Sequence, residues 1–180
     1  MKILSLVLFL TLILVSRSVG QEFDRTIEGQ VKAAFLYNFT KFVVWPENSF
    51  EDPTAPVRIG VIGDNDLLQH LETVVEGKTV RGRPVVVSQL ETLELPDYCH
   101  VAFVAQVPTE SEWEAIAKLT DRSVLVVGHA PGFASRGGVI NFVPNGTQMH
   151  LEINPTAAER RRLQISSRLL SLATLVSDPD

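Results

Sequence analysis

Cysteine is almost absent: Cys99 is the only one in 180 residues. An internal disulfide is therefore excluded, whatever the redox poise of the compartment. A surplus of basic residues is also missing, since 16 Lys and Arg stand against 21 Asp and Glu and the formal net charge is -5. No global positive field is available to attract nucleic acid, so that class of partner is disfavoured. The spacings of common cofactor and catalytic sites are missing as well. GVIGD has glycines at 60 and 63 only and lacks the G-x-G-x-x-G run that lets backbone approach a pyrophosphate. Gly77-Lys78-Thr79 looks like the end of a phosphate-binding loop, but Glu72 stands where the upstream glycine belongs. His70, His100, His129 and His150 have no metal-ligand spacing, and no metal or other cofactor is implied. Ser135 is not a nucleophile elbow, because Phe133 occupies the required glycine position. With no carboxylate pair and no Cys/His couple, the expectation is a protein that is not an enzyme.

A bilayer-spanning apolar run is absent too. Ile3 to Val15 is nearly unbroken but shorter than the roughly 20 residues a span needs, and Arg17 follows it. Lys2 ahead of the run and Ser18-Val19-Gly20 behind it fit a cleaved secretory signal over residues 1–20. Residues 21–30 then form a polar segment, with Asp24 or Thr26 available as a helix N-cap. About 160 residues remain after cleavage, enough for one core without covalent staples. Cys99, between Tyr98 and an apolar run, reads as a small buried hydrophobe.

What is present is a strand and helix alternation. VKAAFLYNFTKFVVWP (31–46) predicts a helix ending at Trp45 under the constraint of Pro46. VRIGVIG (57–63), Val85–Val87, HVAFVAQ (100–106) and RSVLVVG (122–128) read as buried strands. Between them, Asp64 caps one helix and Thr109 with Glu112 forms a capping box for another. Continuous apolar strands alternating with helices predict an α/β fold with a mostly parallel sheet flanked by helices. VINFV (139–143) and residues 147–154 flank Asn145-Gly146, which predicts a C-terminal antiparallel hairpin. Asn154-Pro155 starts a short helix. In the last segment Ser166 or Ser167 caps a helix carrying Leu169, Leu172, Ala173 and Val176 on one stripe. The basic run Arg160-Arg161-Arg162 reads as a solvated helix face.

Two regions attract functional readings. GHAPGFASRGG (128–138) has four glycines after a buried strand, and its His129, Ser135 and Arg136 could cradle a small anion or simply line a wide connection. Glu152 and Arg168 complete the candidate ligand set for a small-molecule pocket. The helix of residues 31–45 is apolar nearly all round, with Lys32 pointing into its apolar arc. Lys32 reads most simply as a stem lying on apolar neighbours with its ammonium in water. Lys32, Tyr37, Lys41 and Trp45 are the candidate partner interface, since aromatics often anchor interfaces.

VKAAFLYNFTKFVVWP, RIGVIGDN, GKTVRGRPV, CHVAFVA, VGHAPGFASRGGVINFV, LEIN and LQISSRLLSLA, in that order, resemble the YfiR family of exported bacterial proteins. The resemblance makes residues 31–176 one YfiR-like α/β domain. It implies a periplasmic repressor that contacts the periplasmic domain of an inner-membrane diguanylate cyclase, lowers cyclic-di-GMP synthesis and tends to form a homodimer. Its best-known members carry several cysteines linked to redox control, and the lone Cys99 departs from that pattern.

Overall fold

The computed structural model describes residues 26–146 and 148–178. The expected signal segment 1–20, and Asp24 with it, lie outside the described residues. The chain runs through α1 (26–42), β1 (Val43–Val44), β2 (Val57–Ile62), α2 (Asn65–Val75), β3 (Thr79–Val80) and β4 (Arg83–Leu90). It continues through β5 (Val101–Val104), α3 (Glu110–Lys118), β6 (Leu125–Gly128), β7 (Ile140–Asn145) and β8 (Gln148–Ile153). The last elements are α4 (Pro155–Arg160), β9 (Gln164–Ile165), α5 (Ser167–Leu170) and β10 (Thr174–Leu175).

The predicted signals act where expected. Asp64 accepts from the Leu67 amide at 2.9 Å, the Thr109 and Glu112 box is closed at both ends, and Asn154 accepts from the Ala157 amide at 2.9 Å with Pro155 in the first turn. Strands β4, β2, β5, β6 and β7 lie side by side in parallel. The Asn145-Gly146 turn, with Gly146 at φ 61°, then reverses the chain into β8, antiparallel to β7. The fold is thus mixed α/β, with a mostly parallel sheet between helices and an antiparallel hairpin.

Three boundaries differ from expectation. Helix α1 stops at residue 42, because Val43 and Val44 pair antiparallel with Ile165 and Gln164 ahead of Pro46. Strand β4 starts at Arg83 and not Val85, since β3 gives Arg83 and Pro84 a partner. The C-terminal helix ends after one turn, and Thr174–Leu175 instead pairs in parallel with Glu152–Ile153. A free β8 edge offers backbone hydrogen bonds that outweigh one more turn of an amphipathic helix.

Sheet alternation sends Val57, Ile59, Val61, Val85, Val101, Phe103, Leu125 and Val127 into one core with α1 and α2. Ile62, Ala102, Val104 and Val126 face the other core under α3, with Trp113, Ile116 and Phe133. Phe35 and Phe39 of α1 meet Phe142 at centroid distances of 5.9 and 5.8 Å, and Phe103 meets it at 6.1 Å. These aromatic contacts hold α1 on the sheet, at roughly 1 kcal/mol each beyond area burial.

Candidate functional site

Lys32 answers the question its position raises. It is only 5% exposed, and its Nζ lies 2.5 Å from Glu28 Oε1 and 3.1 Å from His129 Nδ1. The ammonium therefore does not reach into water as the simplest reading had it; it is held by α1 itself and by the glycine-rich loop. An ammonium only donates, so His129 Nδ1 accepts, and the Nε2–H donates to the Ala105 carbonyl. One chain of hydrogen bonds thus joins Glu28, Lys32, His129 and the end of β5. It brings together two residues that the sequence placed in separate candidate sites.

The glycine-rich loop folds over its own Phe133. A Cβ on Gly128 would meet the Phe133 ring at 2.5 Å, and one on Gly138 would meet it at 2.3 Å. Two of its four glycines therefore make room for a buried phenyl ring. Arg136 leaves the loop toward α3, 4.3 Å above the Trp113 ring centroid and 3.4 Å from Glu110. Glu152 accepts from Asn141 Nδ2 at 2.9 Å on the hairpin. Arg168 extends from α5 over Phe42 at 5.9 Å. Ser135 is half-buried in a short 3-10 turn. The proposed ligand residues are thus engaged in separate places, and their side chains do not converge.

Among the interface candidates, Tyr37 and Trp45 are covered by the chain itself, like Lys32. Trp45 Nε1 donates to the His100 carbonyl at 3.1 Å, and its ring meets His100 edge-on. Lys41 is exposed, 4.1 Å above the Tyr37 ring. A helix apolar nearly all round is here covered by its own fold and leaves three of these four side chains no free face.

Charge is buried where the basic run was read as solvated. Arg161 is 0% exposed, and its guanidinium donates to the carbonyls of Ala157, Ile116 and Gly137 at 2.9 to 3.1 Å. It ties α4 to the end of α3 and to the glycine loop, and burial pulls its pKa down to about 10. Arg160 and Arg162 point outward, which matches the expectation for them. His100 is buried against Phe50, with ring centroids 4.3 Å apart; its Nδ1 accepts from the Arg58 amide, and burial lowers its pKa to about 4. Cys99 is buried, as read, and desolvation pushes its thiol up to about 11. A covered thiol of that acidity is a poor nucleophile.

The surface that sequence reasoning missed lies at the C-terminus. Leu172 is 69% exposed and Leu175 56% exposed, although helical periodicity had placed Leu172 on a buried stripe. Leu175 belongs to β10, the outermost strand of the sheet, whose far backbone edge has no neighbour among the described residues. The bend that follows α5 turns these side chains outward, and no local motif announces it.

Among the described residues no helix is long and apolar enough to cross a membrane, and no group of three or more His, Cys, Asp or Glu is placed to hold a metal ion. No curated protein matches the chain. A family model described as YfiR/HmsC-like matches residues 29–174, which contain every strand except the last residue of β10 and almost every helical residue described above. The chain therefore belongs to the YfiR/HmsC-like family, a periplasmic family of regulators in diguanylate cyclase signalling.

Proposed function

We propose that the chain is an exported, non-catalytic binding protein that represses an inner-membrane diguanylate cyclase through its periplasmic domain. The repressor holds one conformation of that domain, and cyclic-di-GMP synthesis stays low while it is bound. A signal acts by reducing its affinity for that conformation relative to the other. The observation that carries the reading is the C-terminal surface, where, among the described residues, Leu172 and Leu175 are exposed and the outer edge of β10 has no neighbour. Large apolar side chains clustered at an edge mark a docking site more readily than a solvated one. Arg168 and Lys41 supply exposed cations on the neighbouring α5 and α1.

The experiment measures cyclic-di-GMP in cells that carry the native chain, a deletion, or Leu172→Glu with Leu175→Glu. Deletion should raise the level, and the double variant should raise it nearly as far while its unfolding free energy stays within about 0.5 kcal/mol of native. An unchanged level in the deletion would refute repression. A folded double variant that represses fully would remove this surface from the interface.

A further inference from the structure

The opposite edge of the sheet is also open among the described residues, and it borders a groove. Strand β3 pairs only with Arg83 and Pro84 of β4, and the Val85 amide donates to the Lys78 carbonyl. That bond points the N–H and C=O groups of odd-numbered β4 residues away from β2, because successive residues of a strand alternate in direction. Val87 and Gln89 therefore present both groups at an edge that β3 does not reach. Natural sheets seldom leave such an edge unguarded, and Val85–Leu90 holds neither a proline nor a lysine. Between this edge and α2 lies a groove of about 510 Å3, lined by Val75, Val85, Val86 and Val87, with Glu72 and Glu76 at its rim. Both glutamates are exposed, one turn apart at the C-terminal end of α2, whose last turn has no basic residue. Like charges at that spacing repel, and the open carbonyls of a helix C-terminus add to the negative potential. Among the described residues no ion pair offsets either carboxylate. Lys78, the nearest cation in the sequence, lies over the Tyr37 ring of α1 at 5.0 Å.

We propose that this edge docks an extended segment of another protein in which basic and apolar residues alternate. The backbone of such a segment adds a strand to β4 and pairs with the outward groups of Val87 and Gln89. Its side chains then continue the alternation of the sheet. Val85 and Val87 face the α2 side together with Val75, whereas Leu90, and with it Val86 and Ser88, face the α3 side. On the α2 side a lysine or arginine stem lies along the valines of the groove and carries its cation to Glu72 and Glu76. On the α3 side an apolar residue covers Val86, which is 37% exposed, or Leu90. Charge chooses the occupant: a second β4 has no cation between Val85 and Leu90 and would leave the acidic rim unmatched. The surface carried by β10 lies at the other end of the sheet, so this inference stands apart from the repressor reading.

The probe is a blocked, fluorophore-labelled heptapeptide that alternates valine and lysine, titrated with the intact chain and read by anisotropy. It should bind about tenfold or more tighter than a peptide of the same residues with its lysines set together. Glu72→Lys with Glu76→Lys, at exposed positions, should weaken the lysine peptide by about tenfold and favour the matching valine and glutamate peptide instead. Backbone pairing is tested on the peptide itself, so no variant has to fold. Successive residues of a strand send their N–H groups to opposite edges, so methylating the lysine nitrogens of the main chain strips one edge and methylating those of the valines strips the other. One set should weaken binding by about tenfold or more, and the other should leave it unchanged. An alternating peptide that does not bind, equal binding of the two lysine orders, indifference to the charge reversal, or equal loss from both methylated sets would each overturn the proposal.

Discussion

Burial holds His100 near pKa 4 in the native chain, against an ordinary 6.5. Between those values the unfolded chain carries a proton that the native chain refuses. Stability therefore rises with pH across this window and is lost as pH falls through it. The size follows from the two pKa values: going from about pH 7.5 to about pH 5, this one group should remove about 2 kcal/mol of unfolding free energy. The structural cause is specific. Nδ1 already accepts from the Arg58 amide, the ring stacks on Phe50, and Trp45 closes one edge, so a second proton has neither a solvent contact nor an acceptor ready for it. Urea unfolding at stepped pH measures the loss directly, with His100→Asn as comparison. Asparagine sets an oxygen where Nδ1 accepts and does not titrate. The variant should start less stable, for want of the ring, yet show a slope shallower than native by that amount. Asp52, lowered by its bonds to Thr54, contributes only below its ordinary value of 3.8, outside the window. The other histidines are common to both chains and cancel. Equal slopes in the two proteins would refute the reasoning.

Two further outcomes follow from the packing. Arg161→Ala should cost roughly 3 kcal/mol, because three buried carbonyls lose their donor, whereas Arg160→Ala at an exposed ion pair with Asp178 should cost less than about 1 kcal/mol. Denaturant midpoints at neutral pH compare them, and similar shifts would remove the anchoring role of Arg161. Gly138→Ala should destabilise by about 2 kcal/mol or more, since its Cβ would overlap the Phe133 ring, while Gly132→Ala should cost only about 1 kcal/mol for its φ of +70°, there being open space around it. Thermal unfolding separates the two glycines, and a Gly132 variant as damaged as the Gly138 one would contradict the reading of the loop as a cradle for Phe133.

Much of the fold was legible because its signals are local. The Asp64, Thr109 and Asn154 caps, the apolar strands and the Asn145-Gly146 turn each depend on a few neighbouring residues, and each element they predict is present. What was misjudged depends on pairing with distant chain. Val43 and Val44 leave the helix because residues 164–165 lie beside them, and Thr174–Leu175 becomes a strand because β8 has a vacant edge. Periodicity alone has no means of registering either partner.

The candidate residues divide along the same line. Lys32 and His129 each looked like an isolated polar residue with a simple explanation, and their meaning appears only when α1 is laid across the end of β6. The lysine is tolerated in an apolar arc because Glu28, one turn earlier, offsets part of its desolvation and His129 takes another of its protons. Arg161 shows the same thing in reverse: within a run of three arginines nothing local distinguishes it, yet it alone turns inward, to carbonyls supplied by α3 and the glycine loop. Polar residues of this kind fix how α1, the loop and α4 sit against one another. They hold those three elements to the sheet, whose last strand, β10, has no neighbour on its outer side among the described residues.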